Sequence, residues 1–319
     1  MWTYLARRLI QGLFTLVIIS GICFTLTHFS GDPMAQYANR PGITEEARQR
    51  IRAELGLDQP LVVQYVRWLN VTLHGNLGDS YFSHQPVLLL ISQRLPLTLV
   101  LMLIAQTITV IVALGLGILS AVRQYTLTDN IITSLSFIGY SMPIFFIALG
   151  LMLIFAVQFK AWGLPYLPTG ADIWDPWDIP ELIRHLVLPV SCLVIIQTAG
   201  YSRYIRTSLL EVLGLDYIRT ARAKGLTERA TLYKHALRNA ALPFITILGL
   251  DIPFLFAGAL VTETVYAWPG MGRLFWEYAE KGDFPVVLGV LLIVSTAVVV
   301  FSILTDMAYT LIDPRIRLS

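Results

Sequence analysis

The chain has 319 residues, of which 55% are hydrophobic and 14% are charged, and its formal net charge is +2. This composition excludes a water-soluble domain and indicates a polytopic membrane protein. The two cysteines, Cys23 and Cys192, each lie in an apolar segment, so they offer neither a disulfide framework nor a metal-ligand spacing.

The first apolar run covers residues 9–29 and follows Arg7 and Arg8. At about 1.5 Å per helical residue, a run of this length crosses a hydrocarbon core of about 30 Å. It is long for a signal peptide and no small-x-small cleavage site follows it. We therefore interpret residues 1–30 as an uncleaved transmembrane helix.

Residues 31–96 are the one sizeable polar region. We expect them to form a small folded cap outside the cytoplasm, because structureless loops of this length are uncommon in compact proteins. The pattern of residues 43–55 predicts an amphipathic helix with Thr44 as its cap, and the stretch HGNLGDS is typical of a turn.

Five further spans are predicted at residues 97–121, 134–157, 185–201, 241–263 and 286–310. In the third, Gly139 and Pro143 predict a kink or a close helix approach. The loop at residues 160–184 carries three tryptophans that we favour as interfacial anchors over ligand stacking: Trp162, Trp174 and Trp177. The predicted fold is all-α, a transmembrane bundle of six spans with both termini on one side and a tail at residues 311–319.

The charges of the connecting segments indicate which side of the membrane each segment faces. With the termini inside, the cytoplasmic segments hold 13 basic residues and six acids, and the exterior segments hold 10 basic residues and 14 acids. Basic residues accumulate on the cytoplasmic side of membrane proteins. The sequence therefore predicts that both termini are cytoplasmic.

The most basic of these segments, residues 203–240, lies between the fourth and fifth spans. Its pattern predicts two short helices that are split at Gly225, which suits a left-handed helix end, with Thr227 as the cap of the second. Tyr217, Ala221 and Gly225 are spaced as one helix face that narrows to small side chains. Such a helix is shaped to enter a groove on another protein, and the alternative is a solvated loop that only fixes topology.

Two places in the last third of the chain are candidates for a translocation path. Asp251 lies inside the predicted fifth span, where a charge costs about 2.5–3.5 kcal/mol on insertion scales, so it either lines a path or orients helices through a partner. The stretch ETVYAWPGMGR, residues 263–273, is either a gate or a turn anchored by Trp268. The candidate path or gate residues are Asp251, Pro143, Glu263, Tyr266, Trp268, Pro269 and Gly270.

Motifs for catalysis are missing from the sequence. It contains no GxxxxGK[ST] phosphate loop, no HExxH, no GxSxG and no Cys/His cluster. We therefore expect no catalytic residue, metal or cofactor in this chain, and an energy source on a separate subunit.

The basic segment resembles the EAA loop of ABC-importer permeases, in the version carried by the oligopeptide, dipeptide and nickel permease family. YIRTARAKG followed by KHALRNAALP carries the likeness, and LGLDQPL with WPGMGR extends it over the chain. Ala221 and Gly225 of the generic motif are kept, while Arg219 and Thr220 replace its first two positions and Leu242-Pro243 lies further downstream. The loop residues that the resemblance assigns to ATPase coupling are Tyr217, Arg219, Thr220, Ala221, Arg222, Ala223, Lys224, Gly225 and Leu226.

The resemblance implies a MetI-like permease core at residues 97–310 in a bacterial or archaeal cytoplasmic membrane, surrounded by membrane lipid. It also implies a second homologous permease, two cytoplasmic ATPases that bind ATP and Mg, and an extracytoplasmic binding protein. The cargo would be a peptide or a similar small solute, moved by alternating access, with no role for nucleic acid. The rival hypothesis is a self-sufficient secondary transporter or channel, which predicts inverted-repeat helix breaks and several intramembrane charges.

Overall fold

The computed structural model describes residues 2–30, 45–54, 56–170 and 178–312. Within these residues six helices are long and apolar enough to cross a membrane: Arg7–Leu26, Val87–Val122, Ile144–Ala161, Ile179–Leu213, Glu228–Phe256 and Phe284–Thr305. No strand occurs in the described part of the chain beyond an isolated bridge between Asp79 and Pro86. The predicted all-α fold with six spans is confirmed. Thr44, Trp174, Trp177 and most of the predicted tail lie outside the described residues.

The described helices are numbered in chain order as follows: α1 Trp2–Ser30, α2 Glu45–Glu54, α3 Leu61–Leu73, α4 Val87–Val122, α5 Leu127–Ser141, α6 Ile144–Ala161, α7 Ile179–Leu213, α8 Asp216–Ala223, α9 Glu228–Phe256, α10 Leu260–Val265, α11 Met271–Glu280 and α12 Phe284–Ile312. Two of them are irregular. Helix α6 contains a π-helical turn at Leu153–Gln158, and α9 contains one at Thr231–Ala236 and ends in a 3₁₀ segment at Ile252–Phe256.

The chain forms two compact units, one made of residues 1–96 and 273–319 and the other of residues 97–272. In the first unit, α1 packs along α12. A Cβ atom at Gly12 would lie 2.7 Å from Val299 Cγ1, so glycine permits this contact. Helix α3 is joined to α1 by a 2.8 Å hydrogen bond between the hydroxyls of Ser20 and Tyr65.

In the second unit, α7 is the central helix, against which α5, α6, α9 and α10 pack. It also approaches α4 closely at one point, because a Cβ atom at Gly117 would lie 2.8 Å from the carbonyl oxygen of Ser202. On the α5 side, a Cβ at Gly139 would stand 3.5 Å from the Cβ of Ala199. This is an ordinary van der Waals contact, so the close helix approach predicted at Gly139 stays a prediction.

The second to fifth spans differ from their predicted bounds. Helix α4 begins at Val87 rather than at residue 97, and α7 covers Ile179–Leu213 rather than residues 185–201. In place of one kinked helix over residues 134–157, α5 ends at Ser141 and α6 begins at Ile144. The physical reason is Pro143, which pushes the preceding residue out of the helical region, and Met142 is extended with φ −80° and ψ 131°. The fifth helix begins at Glu228 rather than near residue 241, and loses α-geometry at Asp251 rather than continuing to Glu263.

Candidate functional site

The first helix of the basic segment ends as its sequence predicts. Gly225 has φ +80° and follows α8 directly. Its N–H donates to the carbonyl oxygen of Arg222 at 2.9 Å, and the N–H of Leu226 donates to that of Ala221 at 3.4 Å. This pair of bonds is the Schellman motif, which satisfies carbonyl groups that a helix end would otherwise leave open.

The second helix of the segment also begins as predicted. Thr227 Oγ1 accepts the N–H of Ala230 at 3.3 Å, which caps α9. Across the turn, Arg222 Nε lies 3.1 Å from Glu228 Oε1, but both side chains are exposed. An exposed pair of this kind contributes about 0–1 kcal/mol, so the two caps, more than the ion pair, set the angle of the turn.

Helix α8 is seated on the second unit by one apolar side chain. Ile218 is fully buried and packs in a cluster with Ala121, Leu209, Ala236 and Ala240. Ala121 lies at the end of α4, Leu209 near the end of α7, and the two alanines on α9. The short helix therefore contacts the ends of three different spans. The charge pattern predicts that these ends lie on the cytoplasmic side of the membrane.

The predicted outward face of α8 is wrong at Ala221, which is buried with 6% exposure. Ala221 follows Ile218 by three residues, so both point to the same, inward side of a helix that has only two turns. Gly225 lies beyond the helix end and so does not share this face. The residues of the coupling prediction that are exposed are Tyr217, Arg219, Thr220, Arg222, Ala223, Lys224, Gly225 and Leu226.

An ion pair with a buried carboxylate lies near this seat. Arg206 on α7 donates from Nε and Nη2 to the two carboxylate oxygens of Asp129, at 2.8 and 2.7 Å. Ser120 on α4 also donates to Asp129, and the N–H of Tyr125 does so at 2.9 Å. We call Ser120, Asp129 and Arg206 the Asp129 cluster.

Hydrogen bonds from Arg206, Ser120 and the Tyr125 N–H hold the pKa of the Asp129 carboxyl well below its usual range, against the opposing effect of burial. A carboxyl whose pKa is lowered in the folded state stabilises the protein above its ordinary pKa. That stability is lost progressively as pH falls from the ordinary pKa to the lowered one. The Asp129 carboxyl is therefore ionised throughout the physiological range.

Asp251 has a partner on a neighbouring span. The hydroxyl of Tyr201 on α7 donates to Asp251 Oδ2, and Gln106 Nε2 on α4 donates to that hydroxyl at 3.3 Å. The ring of Tyr201 also meets Phe244 edge to face, with centroids 5.3 Å apart. These contacts supply the partner that a helix-orienting role requires, and path lining by Asp251 stays a prediction.

Glu263 is completely buried. Its Oε1 accepts from Thr98 Oγ1 at 3.0 Å and from the N–H of Ala259 at 3.4 Å. Thr98 Oγ1 in turn accepts the N–H of Met271 at 2.7 Å. A buried carboxylate is tolerated only when hydrogen bonds compensate its lost hydration, and this chain of bonds joins α4 to α10 and to the first residue of α11.

Three glycines surround the same carboxylate. Cβ atoms placed at Gly258, Gly270 and Gly272 would come within 2.7, 2.4 and 2.9 Å of atoms of the Glu263 carboxyl group. Only glycine leaves room for the carboxylate on these three sides. The segment at residues 258–272 is therefore packed around Glu263.

Six of the eleven residues of the predicted gate segment, residues 263–273, are buried. Trp268 has no exposed surface, belongs to the core cluster of the second unit, and donates from Nε1 to the carbonyl oxygen of Leu97 at 3.2 Å. Tyr266 donates from its hydroxyl to the carbonyl oxygen of Ala148 at 3.0 Å. Pro143 is exposed at the break between α5 and α6. A gate function of these residues stays a prediction.

A cavity of about 500 Å³ lies elsewhere, and none of the predicted path residues lines it. The guanidinium carbon of Arg203 lies 4.9 and 4.6 Å from the ring centroids of Phe137 and Tyr140. The lining residues are Gly200, Arg203, Tyr204, Thr207, Ser208, Glu211 and Pro243.

In the described part of the chain, no group of three His, Cys, Asp or Glu residues is arranged to hold a metal ion.

The amino-acid sequence does not show which residues these charged side chains pair with. Asp129 and Arg206 lie in separate segments between the predicted spans, and nothing in the spacing joins residues 77 positions apart. The same holds for Tyr201 and Asp251, which are 50 positions apart. One usable signal was the isolated acid itself, because a charge in or near a span needs a partner.

The chain matches two family models. One, described as binding-protein-dependent transport system inner membrane component, matches residues 113–318, and its N-terminal companion matches residues 1–102. A putative peptide permease protein of Brucella ovis is 40% identical over the full length of both chains. The oligopeptide transport system permease protein AppB of Bacillus subtilis is 39% identical over 99% of this chain and 100% of its own. The dipeptide transport system permease protein DppB of Escherichia coli is 37% identical over 99% of each chain.

Proposed function

Because the chain belongs to the family of binding-protein-dependent transport system inner membrane components, we propose that it moves peptides across the cytoplasmic membrane. It is the multi-pass permease subunit of an ABC importer and is not itself an enzyme. Its full-length relatives support this function over a self-sufficient transporter or channel. Di- or oligopeptides are the proposed cargo, since the related permeases carry those names.

The importer works with an ATPase and an extracytoplasmic binding protein. We assign two cytoplasmic ATPase subunits and a second, homologous permease to the assembly. Both termini are placed in the cytoplasm, because that arrangement puts the excess of basic residues inside. ATP and Mg would then bind to the partner ATPases, on the same side as α8.

The observation that carries the mechanism is the position of α8. One face of this helix is anchored by Ile218 to three spans, and the other presents exposed basic side chains. A Cβ atom at Gly225 would meet nothing within 4 Å, so the turn after α8 is free to receive another surface. When ATP closes the ATPase dimer, movement of α8 passes through Ile218 to these spans and alternates access to the path.

The test is a complex reconstituted in proteoliposomes with its ATPases, binding protein and a labelled dipeptide. Gly225→Val forces a β-branched residue into a left-handed conformation, which costs about 1–2 kcal/mol, and adds bulk at the proposed contact. We expect the variant to assemble but to lose peptide uptake and peptide-stimulated ATP hydrolysis.

Gly163→Val is the matched control. Gly163 also has a positive φ, +70°, with nothing within 4 Å of a Cβ, but it lies in the predicted exterior loop. This variant suffers the same backbone strain and should keep coupled transport. Uptake and stimulated hydrolysis at normal rates in Gly225→Val would remove α8 from the coupling role. Failure of the unmodified complex to take up any peptide would instead contradict the cargo.

A further inference from the structure

The Asp129 cluster lies next to the surface on which α8 sits. Ser120 immediately precedes Ala121, and Arg206 precedes Leu209 by three residues, which is just under one helical turn. Ala121 and Leu209 both pack with Ile218. Asp129 itself lies in the first turn of α5, and the two side chains that donate to it, Ser120 and Arg206, are therefore at the same ends of α4 and α7 that receive α8.

The two helices are also in close contact just before the Asp129 cluster. A Cβ atom at Gly117 would come within 2.8 Å of the Ser202 carbonyl oxygen and of the Ile205 side chain. Three features follow one another along α4 and α7: a close contact at Gly117, the two side-chain donors to Asp129, and the seat of Ile218. Such a series of close contacts makes the two helix ends behave as one rigid body.

The backbone of the loop between α4 and α5 adopts a strained conformation in which it donates a hydrogen bond to Asp129. Tyr125 has φ +62°, a left-handed conformation that costs a non-glycine residue free energy. Its N–H is aimed at Asp129 Oδ2 in this conformation. The Tyr125 side chain is 81% exposed, so the backbone hydrogen bond to Asp129, and not burial of the ring, accounts for this geometry.

We propose that Asp129 is a positioning residue for energy coupling, whose carboxylate holds the ends of α4 and α7 together as a rigid seat for α8. The inference rests on the proposed coupling role of α8. With the seat rigid, a displacement of α8 moves both spans. With the seat loosened, the same displacement is absorbed locally, and ATP is hydrolysed without transport.

The test compares the number of labelled dipeptides taken up per ATP hydrolysed in the reconstituted complex, normalised to assembled complex. Asp129→Asn keeps the size of the side chain but removes the charge that Arg206 binds. We expect uptake per ATP to fall about tenfold, in the range of typical coupling effects, while hydrolysis continues. A merely structural role would lower the amount of complex and leave this ratio unchanged.

Two further variants complete the design. Arg184→Gln breaks an exposed ion pair with Glu181, 3.3 Å long, at the other end of the same helix α7, and should leave the ratio unchanged. Ser120→Ala removes one donor from Asp129 and keeps the ion pair, so it should assemble fully and lower the ratio to a smaller extent.

The outcomes separate the proposals. A normal ratio in assembled Asp129→Asn overturns the positioning role. If Asp129→Asn does not assemble, a normal ratio in Ser120→Ala overturns it instead, because the Asp129 cluster would then serve stability alone. If Gly225→Val loses uptake and stimulated hydrolysis while the Asp129 cluster variants keep a normal ratio, only this inference fails. If Gly225→Val keeps both activities at normal rates, the coupling role of α8 fails as well.

Discussion

Two glycine-containing turns in the second unit follow opposite physical rules. Gly225 ends α8 with φ +80°, and a Cβ there would meet nothing within 4 Å. At Gly270 a Cβ would lie 2.4 Å from the carboxyl carbon of Glu263, and no positive φ is involved. The first turn needs glycine for its backbone conformation and the second needs it for space.

This difference assigns the two turns to different tasks. The turn at Gly225 is open, ends a helix with exposed basic side chains, and leaves its surface available to a partner. The turn at Gly270 is closed around the buried carboxylate of Glu263 on α10, which is bonded to Thr98 on α4 and, through Thr98, to the start of α11. Substitution should therefore affect coupling at the open turn and assembly at the closed one.

The largest effect is expected from Gly270→Ala. A single methyl group would overlap the Glu263 carboxyl group, which cannot withdraw because Gly258 and Gly272 also border it. Overpacking of a core costs about 1–3 kcal/mol, and this enclosed site should lie at the upper end. We expect the amount of folded permease, measured by fluorescence-detected size exclusion in detergent, to fall severely.

The second-site change Glu263→Ala sharpens this test, since it removes the group that the new methyl meets. The double variant should recover part of the protein lost in Gly270→Ala. Normal amounts of the single variant, or no recovery in the double variant, would contradict a turn packed around Glu263.

A smaller effect is expected on α8, where two alanines separate the inward from the outward face. Ala221 is buried and Ala223 is exposed. Ala221→Leu adds volume against the seat and should destabilise the permease by about 1–3 kcal/mol. Ala223→Leu should leave assembly unchanged and lower peptide-stimulated ATP hydrolysis, because its side chain points toward the proposed partner. If both variants assemble normally and differ in neither activity, the division of α8 into two faces is wrong.

The sequence was sufficient wherever a short-range rule decides the structure. Apolar runs placed the six spans, and capping chemistry placed Gly225 and Thr227. Met142 could also have been predicted to leave the helix, because it precedes Pro143. The burial of Ala221 could not, since it depends on Ile218 packing against residues from α4, α7 and α9.

The charged residues divide in the same way. Their depth follows from the span limits, but their partners come from other helices. Arg206 reaches Asp129, and Thr98 reaches Glu263 across 165 positions. Periodicity within one helix carries no information about such pairs. For the same reason, periodicity does not predict that the segment around Glu263 is buried in the core of the second unit.

The smallest effect is expected at Asp251, whose exposure is intermediate between the open turn at Gly225 and the closed turn at Gly270. It is half-buried, and its bond from Tyr201 links α9 to α7 at the point where α9 loses α-geometry. Asp251→Asn keeps an oxygen that accepts the Tyr201 hydroxyl, so the two helices remain joined. If the carboxylate lines the path, complex levels should stay normal while the peptide uptake rate or the preference among peptides changes a few-fold.

Tyr201→Phe removes the donor instead, and a hydrogen bond to a charged group contributes about 1.5–3 kcal/mol. A fall in assembled complex in both variants would make Asp251 a helix-orienting residue like Glu263, and unchanged uptake and assembly in both would exclude either role. Uptake of a neutral and a cationic peptide, measured side by side, separates these cases, because only a path residue discriminates between cargoes.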